Sequence, residues 1–161
     1  MLRRLCWEVS VCLVGVACAL RAQAPAGTIS TYAGGGKSKN DGVPATDYKL
    51  NSPSDVAVDA LGNIYVADSG NNQVVKIDHA TQILTVVAGT GRAGYNGDFI
   101  PATSAELNFP VGIAFDAAGN LYISDNNNAR IRRVNTAGII TTYAGTGVSG
   151  YNGDNRLATN A

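Results

Sequence analysis

Beyond residue 18 the chain contains no cysteine, because Cys6, Cys12 and Cys18 all lie near the N-terminus. Once that segment is removed, no disulfide, thiolate nucleophile or cysteine metal site remains. Histidine is almost as scarce. His79 stands alone in the predicted turn Asp78-His79-Ala80-Thr81, so a histidine-ligated zinc site would lack partners in this chain. Basic residues are not in excess, with twelve Lys and Arg against twelve Asp and Glu. Nucleic acid is therefore not an expected partner, since binding phosphate in bulk needs a basic surface. No Gly-rich loop opens a helix, and Ser, His and Asp do not recur as a nucleophile with its base. A sustained 3.6-residue hydrophobic period is also missing after the first 24 residues.

Those first residues have a character of their own. Met1 to Arg4 is basic, Val9 to Leu20 is apolar, and Ala22-Gln23-Ala24 is a small-x-small cleavage sequence. Together they read as a secretory signal over residues 1–24, with cleavage after Ala22 or Ala24. The uncharged run is short of the roughly 20 residues that span a bilayer, so no membrane span is expected in the mature chain. That chain, residues 25–161, is expected to be secreted, periplasmic or extracellular. It keeps nine basic and eleven acidic side chains, a net charge near −2.

What the sequence does have is a repeat. Asp41 to Ile77 laid over Asp98 to Val134 without a gap gives 15 identities in 37 positions. Around that window Tyr32-Ala33-Gly34, Val87-Ala88-Gly89 and Tyr143-Ala144-Gly145 recur, as does Tyr95-Asn96-Gly97-Asp98 in Tyr151-Asn152-Gly153-Asp154. Within one period, Val111, Ile113 and Phe115 alternate with smaller residues. Leu121 to Ser124, Arg130 to Val134 and Ile139 to Tyr143 follow as short runs rich in β-branched and aromatic residues. Asp59-Ala60-Leu61-Gly62-Asn63 and Asp116-Ala117-Ala118-Gly119-Asn120 place Asp at a turn start and Gly where φ is positive, which suits tight hairpins. The unit is all-β, with four antiparallel strands. Such a unit cannot bury both faces alone, and radial stacking of copies gives a β-propeller.

The units LNSPSDVAVDALGNIYVADSGNNQVVKI and LNFPVGIAFDAAGNLYISDNNNARIRRV resemble NHL repeats, especially the bacterial secreted kind whose units are joined by a linker like GDGGPATSAQL. Here the linker reads GDFIPATSAEL at residues 97–107 and NDGVPATDYKL at 40–50. The resemblance runs from Gly27 onward. It implies blades at about 50–87 and 107–144, a truncated third linker at 145–161, and an orphan outer strand at Ile29 to Tyr32. Ala161 aligns with Ala105, and propellers close with about four to eight blades, so the chain is expected to be an N-terminal fragment of a partial propeller.

In an antiparallel blade with strands A to D from the inside outward, the B–C turn and the D-to-A linker share one end. This gathers Asp68, Asn71 and Asn72, or Asp125 to Asn128, with Tyr95, Asn96, Asp98, Tyr151, Asn152 and Asp154. Of these, Tyr95, Asn96, Asp98, Tyr151, Asn152, Asp154, Asp68 and Asp125 form the candidate ligand-binding face. A plainer role competes, because Asn-Gly forms turns and Asp caps backbone N–H groups. Arg130, Arg132 and Arg133 read as a solvated edge. No cofactor is expected; the carboxylates and amides are oxygen ligands of the kind Ca²⁺ takes, yet EF-hand or nonapeptide spacing is missing. Two functions follow. One is a non-catalytic scaffold binding a protein, peptide or glycan. The alternative, which the resemblance also admits, is a lyase or lactonase with a metal in the central channel, for which Asp55, standing where the next copy has Gly112, is the one inner-strand acid.

Overall fold

The computed structural model describes residues 29–151 and 153–160; the expected signal segment lies outside them. Ten strands form two antiparallel sheets. The first blade contains β1 (Val43–Pro44), β2 (Pro53–Val58), β3 (Ile64–Asp68), β4 (Gln73–Ile77) and β5 (Ile83–Ala88). The second contains β6 (Ile100–Pro101), β7 (Pro110–Phe115), β8 (Leu121–Asp125), β9 (Arg130–Val134) and β10 (Ile139–Ala144). Their spatial orders are β1-β5-β4-β3-β2 and β6-β10-β9-β8-β7. Among the described residues there is no α-helix, only single 3₁₀ turns, and no helix is long and apolar enough to cross a membrane.

Each sheet has five strands where four were expected. The four long ones coincide with the runs read from the sequence. The fifth, β1 or β6, is a two-residue piece of the linker, and it pairs with the outermost strand of the blade that follows it. Pro44 and Pro101 end these pieces, since a proline donates no ladder bond and the chain must turn away. Ile29 to Tyr32 forms no strand. The Tyr32 hydroxyl instead accepts a hydrogen bond from Gln82 Nε2 at 2.8 Å.

The A–B hairpins follow the turn chemistry expected. Asp116 Oδ1 accepts the N–H groups of Ala118 (3.0 Å) and Asn120 (2.8 Å), while Gly119 takes a φ of 83°. Asp59 and Gly62 repeat the arrangement, with φ 81° at Gly62. Gly takes a left-handed φ at no conformational cost, which suits it to close such a turn.

The two blades pack face to face through one apolar cluster. Ala67, Val74 and Ala88 of the first blade meet Ala102, Ala105, Leu107, Ile113 and Ile123 of the second blade and its linker. The Tyr65 ring meets the Phe115 ring edge-on, with centroids 4.7 Å apart. Polar bonds fix the register at the inner strands. Ser69 Oγ donates to the Pro110 carbonyl at 2.5 Å, and Ile113 N–H donates to Asp55 Oδ2 at 2.8 Å. Asp55, the expected channel acid, thus joins neighbouring inner strands.

The repeat supplies its own control for the worth of this packing. Ile113 is 8% exposed, whereas Val56, its counterpart in the first blade, is 58% exposed. In the 161-residue chain Ile113→Ala should cost about 2–4 kcal/mol and Val56→Ala less than about 0.5 kcal/mol. Urea denaturation of both variants checks the contrast; equal losses would mean that the blades do not pack as described.

Candidate functional site

Residues brought together at the loop end

The B–C turns and linkers do meet at one end of the blades. Asn128 Nδ2 donates to the Gly94 carbonyl at 2.6 Å, and Arg132 Nη2 donates to the Gly97 carbonyl at 2.8 Å. Each B–C turn is a 3₁₀ turn, Ser69–Asn71 or Asn126–Asn128, closed by a left-handed residue, Asn72 or Ala129.

Asp68 and Asp125 sit beneath these turns and are fully buried. Asp125 accepts Asn108 N–H at 2.7 Å and Asn128 Nδ2 at 2.8 Å; Asp68 accepts Asn51 N–H and Asn71 Nδ2, both at 2.7 Å. Burial pushes both carboxyls above their ordinary range, while these bonds, and Arg132 beside Asp125, pull them partway back. Neither carboxylate faces solvent, so each acts as a tie between turn and linker.

Asn96, which is exposed, and the half-buried Asp98 are also hydrogen-bonded to the chain itself. Asn96 donates to the Ser104 carbonyl and accepts Glu106 N–H, both at 2.9 Å. Asp98 Oδ1 accepts Thr142 N–H at 2.8 Å, Thr142 Oγ1 at 3.1 Å and Arg132 Nη2 at 3.0 Å. Asp41 makes the equivalent bond to Val86 N–H at 2.8 Å. Both aspartates pin a linker to the outermost strand of its blade.

Arg132 corrects the expectation of a solvated edge. Its guanidinium is fully buried, 3.0 Å from Asp98 and 3.6 Å from Asp125. The Tyr95 ring lies 4.0 Å from the Arg130 guanidinium and 4.8 Å from that of Arg132. Nη2 makes its hydrogen bonds while Nε and Nη1 are buried without one, so the two carboxylates and the aromatic face offset only part of the cost of burying the charge. In the first blade the same strand position is Val75, packed in a cluster with Tyr48 and Leu84.

Of the predicted face, Tyr151 (80% exposed), Asp154 and the hydrogen-bonded Asn96 reach solvent and Tyr95 does so in part, whereas Asn152 lies outside the described residues. His79 is exposed in its turn, as read. Sequence reasoning missed Phe109, which precedes β7 and is 40% exposed with a φ of 55°. Its N–H donates to Asn72 Oδ1 at 2.9 Å, which places it at the loop end. The only sequence signal was its departure from Ser52 in the first copy. The left-handed backbone belongs to the repeat, since Ser52 at the same position has a φ of 50°; what sets Phe109 apart is a bulky aromatic side chain carried on that backbone.

Among the described residues no three His, Cys, Asp or Glu side chains gather where they could hold a metal. The solvent-facing groups described at this end are mainly aromatic and amide.

Relatives of the chain

Two stacked antiparallel blades joined in this way are the architecture of a β-propeller. The family comparisons agree with the repeat: the NHL repeat model matches residues 50–77 and the teneurin NHL domain model matches residues 77–152. The chain belongs to the NHL-repeat proteins. It is 37% identical over 95 residues to Protein SUPPRESSOR OF QUENCHING 1, chloroplastic, of Arabidopsis thaliana, a match covering 59% of this chain and 9% of that protein. It is 36% identical over 94 residues to human NHL repeat-containing protein 2, covering 57% of this chain and 13% of that protein. The chain thus spans about a tenth of the length of these relatives. Its fold is similar to that of an auxiliary nutrient binding protein from Bacteroides ovatus, with TM-score 0.52 and 22% identity over 63% of this chain and 27% of that one.

The buried ties predict a split titration. Carbon-13 carboxyl NMR should find Asp68 and Asp125 titrating above the ordinary carboxylate range and Asp116, held down first by the Asn120 side chain, below it. A raised native pKa makes stability fall as pH climbs through the window just above about 4, and a lowered one makes stability fall as pH drops below it. Ordinary titration of Asp68 and Asp125 would mean that their carboxyls are solvated.

Proposed function

We propose that the chain is a non-catalytic binding scaffold whose loop end engages a protein, peptide or glycan outside the cytoplasm. One observation carries the reading: the loop end commits most of its acids and amides to its own backbone and leaves aromatic surface to solvent. Asp68, Asp125, Asn96 and Asp98 are spent on the fold. Phe109, Tyr95 and Tyr151 remain exposed at 40%, 38% and 80%. Aromatic groups of this kind present a large contact area at low entropic cost, and they recur at the energetic centres of interfaces. An acid needed for proton transfer would have to reach a substrate, and the buried pair does not. Placement outside the cytoplasm rests on the signal-like residues 1–24.

The strained Phe109 gives the sharpest test. Phe109→Gly relieves the left-handed conformation and should leave stability unchanged or raise it by about 0.5 kcal/mol. The same variant should reduce capture of ligands selected on glycan and peptide arrays by about tenfold or more, the scale of a hot-spot side chain. Unchanged capture by Phe109→Gly and by Tyr151→Ala would contradict the reading.

A further inference from the structure

The linkers are not all alike. Gly34, Gly89 and Gly145 mark one position in each, since each donates its N–H to the carbonyl of Ala45, Ala102 or Ala158 at 2.9 Å. From there the second linker needs nine positions to reach Asp98 and the third nine to reach Asp154, whereas the first needs seven to reach Asp41. The two missing positions fall where the later linkers carry Tyr95 and Tyr151.

The shortening leaves room. In the second blade, Asn128 and Arg130 are covered by the linker, through the Gly94 carbonyl and the Tyr95 ring. Their counterparts, Asn71 and Gln73, line a cavity of about 340 Å³ together with Lys39, Tyr48, Thr90 and Arg92. Its walls are mostly polar. The Tyr48 hydroxyl donates to Gln73 Oε1 at 3.1 Å, and Gln73 Nε2 donates to the Gly89 carbonyl at 3.3 Å, so the wall is held in place. The acid beneath, Asp68, is already bonded to Asn51 and Asn71. Two cations remain at the mouth. The Arg92 side chain is 83% exposed and only 3.7 Å from Glu106, a loose pairing. The volume lies at the low end of small-ligand pockets, enough for one sugar ring.

We propose that this pocket binds a carboxylated monosaccharide, a hexuronate, with its carboxylate on Lys39 and Arg92 and its hydroxyls against Gln73 and Thr90, while the buried Tyr48 and Asn71 form the floor. This deepens the scaffold reading by naming a ligand class for the loop end. Cationic side chains bond a carboxylate more strongly than neutral donors do, and the surrounding neutral groups suit a polyhydroxylated body over a bare ion.

The test titrates the 161-residue chain with sodium glucuronate, glucose and inorganic phosphate, using NMR amide shifts. Glucuronate should shift the amides of residues 70–73 and 90–92, with glucose and phosphate at least about tenfold weaker. Lys39→Gln and Arg92→Gln should each weaken glucuronate about tenfold while leaving the circular dichroism unchanged. No shift with glucuronate, equal binding by either variant, or phosphate binding as tightly as glucuronate would each overturn the proposal. Lys39 and Arg92 are untouched in the Phe109 and Tyr151 variants. Failure here with array capture intact therefore sinks the pocket alone.

Discussion

The loop end of each blade depends on one buried carboxylate. Asp125 and Asp68 lie at the end of the second strand, out of reach of water, and each accepts the backbone N–H that leads into the innermost strand of its own blade, at Asn108 or Asn51. An ionised group in such a place is tolerated only with hydrogen bonds on its oxygens. The Asn three residues later, Asn128 or Asn71, supplies a second bond and holds the turn. Turn, linker and inner strand are thereby fixed to one another, and the apolar faces of the blades are held in register for stacking.

The second blade adds to this plan where the first leaves space. Arg132 joins Asp125 to Asp98 and so ties the linker to the same buried centre, with Tyr95 over the guanidinium. In the first blade Val75 and Tyr48 make an apolar contact at the corresponding place, and the shorter linker leaves a polar cavity beside them. Equivalent strands thus carry different loop ends. This is how a repeat keeps one fold while its surface diverges, and why function must be argued from sites and not from the blade itself.

Much of the blade was legible in the sequence because it depends on short-range patterns. Alternation at Val111, Ile113 and Phe115 and the Asp116-to-Asn120 turn both report local geometry, and both were found where expected. The fifth strands were not legible. A two-residue pairing beside Pro44 or Pro101 has no periodicity to detect. The burial of Arg132 was hidden for another reason: its partners Asp98 and Asp125 are distant in sequence on one side and seven residues away on the other, and charge alone reads as solvated. For the loop acids, composition pointed to the right place, yet whether a carboxylate faces a ligand or a backbone N–H is decided by tertiary packing.

Native-state hydrogen exchange of the Asn51 and Asn108 backbone amides tests the central claim most directly, since both lead into innermost strands and neither belongs to a strand ladder. If buried carboxylates hold them, they exchange only through opening of the whole blade, at the rate of the strand amides of Val66 and Ile123. Exchange at the rate of an exposed loop, with the strands still protected, would contradict the account.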